Sequence, residues 1–284
     1  MRKLFQWDLG TRKLALGGRT LLMGVVNVTP DSFSDGGLHL DPARAVEHAL
    51  RLLDEGADII DIGGESTRPG STATVSAEQE LDRILSVIQA VKRKRPEAFV
   101  SVDTYKAKVA RAAVEAGAEI VNDVSGGLWD TEMLPALANL QCGLVLMHMR
   151  GRPSEWHKLP PIGDALAVVQ EGLAQRAQEA ARHVAQARIV LDPGFGFGKS
   201  FEENYPLLAH FEKLHELGCP LLAGTSRKSF IGKTLDGKLA SERLYGTLAT
   251  ETALILKGAH IIRTHDVRAS RDAVRVADAI LQAT

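Results

Sequence analysis

The sequence has little cysteine, almost no excess charge and no long apolar run. Two cysteines, Cys142 and Cys219, among 284 residues argue against a disulfide framework and suit a reducing compartment. The net charge of -1 gives no electrostatic reason to expect a nucleic acid partner. No apolar stretch approaches the roughly 20 residues that a membrane-spanning helix needs, and the first residues, MRKLFQWDLG, lack the apolar segment of a signal peptide. We therefore expect a cytoplasmic protein that binds neither nucleic acid nor a membrane.

The sequence does contain a recurring phrase. Gly-Ala, a polar residue, two β-branched residues and a second polar residue occur in this order at 56–61, 117–122 and 258–263. Each copy follows a helical pattern, and glycine is favoured at the left-handed position that ends a helix. A β-branched pair is typical of a buried parallel strand. Each phrase therefore predicts a junction between a helix and a strand, and each strand ends on a polar side chain.

The same alternation of strand and helix extends along the chain. Strands are predicted at 21–27, 58–62, 98–102, 119–122, 143–147, 188–191, 220–223 and 260–263, and helices at 42–55, 77–94, 104–116, 131–140, 164–184, 202–217, 241–257 and 268–282. Eight β-then-α units in about 250 residues predict an α/β protein with a (β/α)8 TIM barrel. Periodicity alone does not show closure, so an open doubly wound sheet remains the alternative. We predict a single domain over residues 1–284, in which residues 1–20 form a short β-hairpin that covers the barrel floor.

Two connections that follow strands are long. Residues 28–41 and 63–76 are rich in Gly, Ser, Thr, Pro and Asp. In a barrel such loops lie on the C-terminal face, where barrel enzymes carry their active sites. Long loops without secondary structure of their own are usually lids or binding loops. We predict that both loops cover a site at this end of the barrel, and a merely variable surface loop is the alternative.

Polar side chains stand at the ends of most predicted strands. They are Asn27, Asp61, Asp103, Asn122, His148 (next to Met147), Asp192, Ser226, Arg227, Lys228, Arg263 and His265. Any one of them has an ordinary structural explanation, such as capping the helix that follows. A ring of so many donors and acceptors at the mouth of a barrel favours a binding site.

The polar side chains at the strand ends form two chemically different sets. The first set supplies two carboxylates, an amide and an ammonium group, which suit a flat heterocycle with donor and acceptor edges: Asp103, Asn122, Asp192 and Lys228. The second set is cationic and hydroxylic and suits an anion such as phosphate: Asn27, Thr67, Arg68, Arg263 and His265.

The segment LDPGFGFGKS at 191–200 ends in Gly-Lys-Ser but is not a phosphate-binding P-loop. A P-loop needs a glycine five residues before its last one, where this chain has proline. We predict instead that Asp192 is the ligand group, that the glycines let the backbone approach closely, and that Phe195 or Phe197 forms an apolar wall. Lys199 is expected to be a solvated lysine.

Eight motifs, in order, resemble the dihydropteroate synthase family. They are MGVVNVTPDSFSDGG (23–37), DIGGESTRPG (61–70), SVDTYK (101–106), NDVSGG (122–127), LMHMRG (146–151), LDPGFGFGK (191–199), GTSRKSFIG (224–232) and IIRTHDV (261–267). The resemblance spans nearly the whole chain from residue 23. It implies a barrel transferase that condenses 6-hydroxymethyl-7,8-dihydropterin pyrophosphate with p-aminobenzoate, giving 7,8-dihydropteroate and pyrophosphate. For this reaction we hypothesise an SN1-like substitution.

The resemblance also implies roles for individual residues. The pterin site would contain Asp103, Asn122, Asp192 and Lys228, the diphosphate site Thr67, Arg263 and His265, and the p-aminobenzoate site Arg68 and Ser229 with the loops that bear Phe33 and Pro69. Further substrate-binding residues would be Met147, Phe197 and Gly224. A Mg²⁺ cofactor would contact Asn27. Catalysis would depend on Asn27, Lys228, Arg263 and His265. A homodimer formed through the late helices at 241–257 and 268–282 is also expected.

Three other functions compete with this one. A Schiff-base lyase would use Lys228 as its nucleophile, but this lysine lies several residues beyond its strand. A methyl-tetrahydrofolate-dependent methyltransferase also holds a pterin in a barrel, but it has no use for a diphosphate site. A pterin-binding paralogue without catalysis is disfavoured, because Asn27, Arg68 and His265 are all present.

Overall fold

The computed structural model describes residues 2–29, 41–66 and 75–283. Its strands are β1 (Phe5–Asp8), β2 (Lys13–Leu16), β3 (Leu21–Asn27), β4 (Ile59–Gly63), β5 (Phe99–Asp103), β6 (Ile120–Asp123), β7 (Gly143–Met147), β8 (Ile189–Asp192), β9 (Leu222–Ala223) and β10 (Ile261–Thr264). Strands β1 and β2 pair as an antiparallel hairpin. The other eight described strands form one sheet, in which neighbours are parallel.

This sheet closes into a barrel. Its strand order is β8-β7-β6-β5-β4-β3-β10-β9. The two end strands meet through a parallel bridge between Leu191 and Leu221, and the Leu191 N–H donates to the Pro220 carbonyl at 3.0 Å. An open doubly wound sheet has two separate edges, so that alternative is wrong. The predicted (β/α)8 barrel with an N-terminal hairpin is confirmed.

Helices alternate with the barrel strands. Within the described residues they are α1 (Pro42–Glu55), α2 (Ala77–Lys94), α3 (Ala107–Glu115), α4 (Met133–Ala138), α5 (Ala165–Ala180), α6 (Phe201–Ala209), α7 (Ser229–Thr234), α8 (Leu244–Leu256) and α9 (Val267–Gln282). Short 3-10 helices lie at Trp156–Lys158, Gln186–Arg188, Phe211–Leu217 and Ala240–Glu242. Among the described helices, none combines the length and the apolar character needed to cross a membrane.

Two stretches differ from the predicted helices. The helix predicted over 202–217 is divided into α6 and a 3-10 helix, in which Phe211 and Leu214 are both buried. Residues three apart lie on the same side of a 3-10 helix, so this geometry buries both side chains. Helix α7 is absent from the predicted elements, because its six residues are too few for a helical period to emerge.

The recurring Gly-Ala phrase ends helices as predicted. Gly56, Gly117 and Gly258 have φ values of 109°, 111° and 95°, a left-handed conformation that glycine adopts without steric cost. At the end of α1 the Gly56 N–H donates to the Leu53 carbonyl at 3.0 Å. After each of these glycines the chain enters a barrel strand, β4, β6 or β10.

The hairpin covers the N-terminal end of the barrel, as predicted. Trp7, Leu9 and Leu16 are buried and pack with apolar residues of the barrel strands: Leu21, Met23, Ile59, Ile120, Val145, Val190, Leu222 and Ile261. The Trp7 indole Nε1 donates to the Arg188 carbonyl at 2.8 Å. Because apolar side chains fill this end, polar side chains of the barrel can share a cavity only at the opposite, C-terminal end.

Candidate active site

A cavity of about 460 Å³ opens at the C-terminal end of the barrel. All residues to which the family resemblance assigns a site role, and that fall within the described segments, line it: Asn27, Asp103, Asn122, Met147, Asp192, Phe197, Gly224, Lys228, Ser229, Arg263 and His265. Thr67 and Arg68 lie outside the described residues, as do Phe33 and Pro69. Side chains from distant parts of the sequence therefore share one cavity.

A buried carboxylate, Asp61, orients two of the side chains in the cavity wall. Asp61 lies in β4 and is wholly buried. Its Oδ2 accepts hydrogen bonds from Arg263 Nε at 2.7 Å and from Asn122 Nδ2 at 3.0 Å. The sequence places Asp61 in the polar ring without giving it a role, since strand-end carboxylates look alike in a sequence. The structure shows that this one binds other protein side chains.

Arg263 contacts two carboxylates, although the sequence assigns it to the anion set. Its Nε binds Asp61, and its Nη2 donates to Asp103 Oδ2 at 2.7 Å. Burial opposes the positive charge, but Asp61 and Asp103 raise the pKa of Arg263 above its ordinary value. Arg263 is therefore permanently charged. Among the described residues only its Nε and Nη2 have partners, which leaves Nη1 to donate to a ligand.

Two carboxyl groups in the cavity have raised pKa values. Burial raises the pKa of Asp103 to about 7, an effect that Arg263 opposes and Asp61 increases. Burial also raises the pKa of Asp192 to about 6, and the Gly194 N–H opposes this shift. That N–H donates to Asp192 Oδ1 at 2.7 Å. The second oxygen, Oδ2, is left to accept hydrogen bonds from a ligand.

Lys228 supplies a cation beside these carboxyl groups. Its Nζ lies 3.9 Å from the centroid of the Phe197 ring, which is a cation–π contact. Burial lowers the pKa of Lys228 to about 7, with Arg263 acting in the same direction and Asp192 in the opposite one. This side of the cavity therefore presents an ammonium group, a carboxylate and an aromatic ring, as a flat polar heterocycle requires.

The prediction that Lys199 is solvated is wrong. This residue is only 8% exposed, and its Nζ donates to the Gly194 carbonyl at 2.8 Å and to the His148 and Phe197 carbonyls at 3.3 Å. The glycines of the loop, Gly194, Gly196 and Gly198, have φ values of 65–78°, so the backbone turns back and encloses the Lys199 side chain. The loop also packs closely against the segment after β7, because a Cβ at Gly194 would lie 2.0 Å from the His148 carbonyl oxygen.

The sequence places His148 in the polar ring at the strand ends, but the structure does not bring it to the described cavity wall. His148 packs against α5, where a Cβ at Gly172 would lie 2.6 Å from the His148 ring. Trp156 lines the cavity instead and meets Phe197 edge-on, with the ring centroids 5.4 Å apart. Trp156 comes from the segment GRPSEWHKLPP, which has no strand or helix periodicity. A lone aromatic residue in a long loop after a strand is the only signal for it.

Asn27 and His265 lie on neighbouring strand ends, because Asn27 ends β3, which pairs with β10, and His265 follows β10. The backbone N and the Nδ1 of His265 contact Ser226 Oγ at 3.1 and 3.0 Å. Arg227 forms two hydrogen bonds to Asp266, from Nε at 3.0 Å and from Nη2 at 2.5 Å. These contacts join the loop after β9 to the loop after β10, so Lys228 and His265 are held in a fixed relation.

Comparisons with known proteins agree with this geometry. A family model described as "Pterin binding enzyme" matches residues 23–265. The dihydropteroate synthase of Synechocystis sp. is 44% identical over 279 residues, which cover 98% of this chain and 92% of that protein. The solved structure of the Xanthomonas albilineans dihydropteroate synthase with 4-aminobenzoic acid matches with a TM-score of 0.90 and 45% identity, covering 99% of this chain and 100% of that one. Its complex with 7,8-dihydropteroate matches with a TM-score of 0.87 and 42% identity, covering 98% and 99%. The chain therefore belongs to the pterin-binding enzymes and, among them, to the dihydropteroate synthase family of transferases.

Proposed function

We propose that this chain condenses 6-hydroxymethyl-7,8-dihydropterin pyrophosphate with p-aminobenzoate. The reaction breaks the bond between the pterin methylene carbon and a diphosphate oxygen. It joins that carbon to the amine nitrogen, which loses one proton, and releases pyrophosphate. The observation that carries the proposal is that Asp192, Lys228, Arg263 and His265 line the same cavity. The Xanthomonas relative with 4-aminobenzoic acid, and its complex with 7,8-dihydropteroate, support the choice of substrates.

The pterin ring is proposed to lie between Asp192, Asn122 and Lys228. The Oδ2 of Asp192 would accept N–H groups from the amidine-like edge of the ring, a charge-assisted contact. Lys228 would donate to a ring nitrogen or to the ring carbonyl. Met147 and Phe197 would cover the apolar faces of the ring. This arrangement makes the charge of Asp192 the main determinant of pterin affinity.

We expect the affinity for a pterin to fall as the pH drops below about 6. Burial raises the pKa of Asp192 to about 6 in the ligand-free protein. The carboxylate is therefore charged above this pH and protonated below it, and a protonated carboxyl accepts hydrogen bonds poorly. Calorimetric titration with 6-hydroxymethylpterin, which lacks the diphosphate, measures the profile. An affinity that stays constant from neutral to acidic pH would contradict the role of Asp192.

Departure of the diphosphate is the demanding step. Negative charge grows on the leaving group while positive charge grows on the methylene carbon, so preorganised charged groups lower the barrier. Arg263 and His265 are proposed to hold the diphosphate, together with Thr67 from outside the described residues. We propose a dissociative, SN1-like path. Electron release from the dihydropterin, strengthened by Asp103 and Asp192, would stabilise the cationic carbon.

The amine needs no general base before it attacks, because an arylamine is neutral at pH 7 and its lone pair is available. Ser229 lines the cavity and is proposed to contact p-aminobenzoate, together with Arg68, which is not among the described residues. The loops at 28–41 and 63–76 are proposed to close over both substrates. Closure would exclude water, which would otherwise compete with the amine for the cationic carbon.

We propose Mg²⁺ as the cofactor, with Asn27 as its protein contact. Across residues 2–29, 41–66 and 75–283, no three His, Cys, Asp or Glu side chains come close enough to hold a metal ion. The single amide oxygen of Asn27 in the cavity wall is compatible with Mg²⁺, which commonly keeps several waters and binds through substrate phosphates. When bound, the ion would neutralise charge on the diphosphate.

The proposed reaction is tested by incubating the enzyme with both substrates and Mg²⁺ and measuring both products. We expect 7,8-dihydropteroate and pyrophosphate to form in equal amounts and in proportion to enzyme concentration. Formation of pyrophosphate alone would show that water, rather than the amine, attacks the carbon. Absence of both products would overturn the proposed function.

The competing functions lose support from the comparisons. The matched relatives are synthases over nearly the whole chain, whereas the lyase and methyltransferase alternatives predict other chemistry. The lowered pKa of Lys228 is the one observation that would suit a Schiff-base lysine. Borohydride trapping of a carbonyl substrate on Lys228 distinguishes that reaction, and the product assay distinguishes a catalytically inactive paralogue.

We propose that the enzyme is a homodimer formed through α8 and α9. Both helices expose large apolar side chains, namely Tyr245 (81% exposed), Val276 (63%) and Ile280 (48%). Exposed apolar side chains grouped on neighbouring elements mark association surfaces, and α8 and α9 pack against each other.

We also propose that the enzyme acts in the cytoplasm. Cys142 and Cys219 are both free and buried. Unpaired cysteines suit a compartment in which thiols are kept reduced.

A further inference from the structure

Lys199 is a buried cation that the proposed mechanism does not use. Its Nζ donates to three backbone carbonyls, those of Gly194, Phe197 and His148, and among the described residues it forms no ion pair. It is also absent from the described wall of the cavity. Burying an ammonium group is costly unless its donors are satisfied. Here three carbonyls satisfy these donors, so the ammonium group is bound to the backbone of the glycine loop and of the segment after β7.

The three acceptors lie in the backbone that shapes the pterin side of the cavity. Gly194 provides the N–H that binds Asp192 Oδ1, and its carbonyl accepts from both Lys199 Nζ and the Phe197 N–H. Phe197 provides the ring beneath the Lys228 ammonium. The Lys199 ammonium thus binds two carbonyls of the Gly194–Phe197 turn without lining the described cavity wall. It thereby fixes the positions of the Asp192 carboxylate and the Phe197 ring, which face the proposed pterin ring.

The third acceptor ties this turn to the neighbouring strand end. The carbonyl of His148 follows β7, and the His148 N–H donates to the Asp192 carbonyl at 2.9 Å. The glycine loop packs tightly against the same segment, since a Cβ at Gly198 would lie 2.4 Å from the Arg150 carbonyl oxygen. Lys199 therefore joins the loop after β7 to the loop after β8.

Lys199 also contributes charge behind Asp192. The carboxylate of Asp192 faces three cations, Lys228, Arg263 and Lys199, and each of them lowers its pKa. The Lys199 ammonium in turn faces Asp192 and Glu203, which favour its charge, and Lys228 and Arg150, which oppose it.

The two groups influence each other's pKa. Burial lowers the pKa of Lys199 to about 7, an effect that Asp192 opposes, and burial raises the pKa of Asp192 to about 6, an effect that Lys199 opposes. The positive charge of Lys199 therefore favours the ionised form of the Asp192 carboxyl group.

We propose that Lys199 is a positioning residue for the pterin ring, which acts without touching it. It holds the Gly194–Phe197 turn against the His148 carbonyl, and it adds positive charge behind the carboxylate that binds the ring. This inference rests on the proposed function, because it takes the ring to lie against Asp192.

The experiment compares the parent enzyme with Lys199→Met, Lys199→Gln and Lys213→Met by calorimetric titration with 6-hydroxymethylpterin. Lys213 is an exposed lysine in the 3-10 helix that follows α6, so its variant is the matched control. We expect Lys199→Met to raise the pterin Kd roughly tenfold or more, as loss of a charged donor does. We expect Lys213→Met to bind as the parent enzyme does.

Two further readouts separate positioning from simple packing. Without the Lys199 charge, the loss of pterin affinity on acidification should begin at a higher pH, because Asp192 then protonates more readily. The KM for p-aminobenzoate should stay close to that of the parent enzyme. Lys199→Gln keeps an uncharged NH₂ group that can donate hydrogen bonds and should show the same shift, so the test stands even if Lys199→Met does not fold.

The outcomes are distinguishable. An unchanged pterin Kd in both Lys199 variants would overturn the inference while leaving the proposed function intact. Weaker pterin binding whose pH dependence is unchanged, or that comes with an equally raised KM for p-aminobenzoate, would show that Lys199 acts only through packing. Either result would also overturn the inference. If the parent enzyme itself did not bind the pterin, the proposed function would fail, and this inference with it.

Discussion

Arg263→Ala is expected to lower kcat by about two to three orders of magnitude, since one preorganised group is typically worth ~3–4 kcal/mol at the transition state. The guanidinium is proposed to stabilise the departing diphosphate. It also neutralises the buried carboxylate of Asp61 and the partly buried carboxylate of Asp103, through hydrogen bonds of 2.7 Å each. Its removal would leave these carboxylates facing each other without a cation, which adds to the loss. Steady-state kinetics with both substrates measure the effect.

Two controls make this result interpretable. Arg111→Ala removes an exposed arginine from α3 and should leave kcat unchanged. Arg263→Lys keeps the charge but cannot bond Asp61 and Asp103 with the same fork geometry, so it should recover part of the rate. A kcat for Arg263→Ala within a few-fold of that of the parent enzyme would show that the diphosphate is stabilised elsewhere.

Asp192→Asn is expected to raise the pterin Kd by about 100-fold, because hydrogen bonds to a charged acceptor are worth about 1.5–3 kcal/mol each. The amide has the same shape but carries no charge, and its NH₂ group would face the N–H groups of the ring. The amide oxygen of this variant would still be able to accept the Gly194 N–H, so the loop should keep its backbone conformation. Calorimetry with 6-hydroxymethylpterin measures the change.

Asp82→Asn is the matched control for this variant, because Asp82 is an exposed aspartate on α2. It should bind the pterin as the parent enzyme does. The loss of pterin affinity at acidic pH should also disappear in Asp192→Asn, since this variant lacks the carboxyl group that titrates. An Asp192→Asn variant with the affinity of the parent enzyme would remove Asp192 from the pterin site.

The sequence predicts the barrel well because backbone signals repeat along it. Helices α1 and α2 have the predicted bounds, and most predicted strands are displaced by one residue at most. The left-handed glycines at 56, 117 and 258 are local requirements of the backbone. The number of β-then-α units favours a closed sheet but does not establish closure, because an open sheet can contain the same number. The bridge between β8 and the segment that leads into β9 decides it.

The sequence predicts which residues line the cavity better than it predicts the hydrogen bonds that these residues form with one another. Strand-end position is enough to bring Asp192 and Arg263 to one cavity. It does not indicate that Arg263 donates to two carboxylates, because a strand pattern gives the face of a side chain and not the partners that its charged end reaches. The burial of Lys199 is not visible in the sequence either. Three left-handed glycines turn the loop back on itself, and a local pattern of glycines does not show what the turn encloses.

One cavity is proposed to hold both the bicyclic ring and its departing diphosphate, and every role assigned above depends on this. The decisive measurement is a crystal structure of the enzyme with 6-hydroxymethyl-7,8-dihydropterin pyrophosphate, without the amine. We expect the ring to lie between Asp192 and Lys228, with the diphosphate within hydrogen-bond distance of Arg263 and His265. A ring bound away from Asp192, or a diphosphate that contacts neither Arg263 nor His265, would refute the proposal.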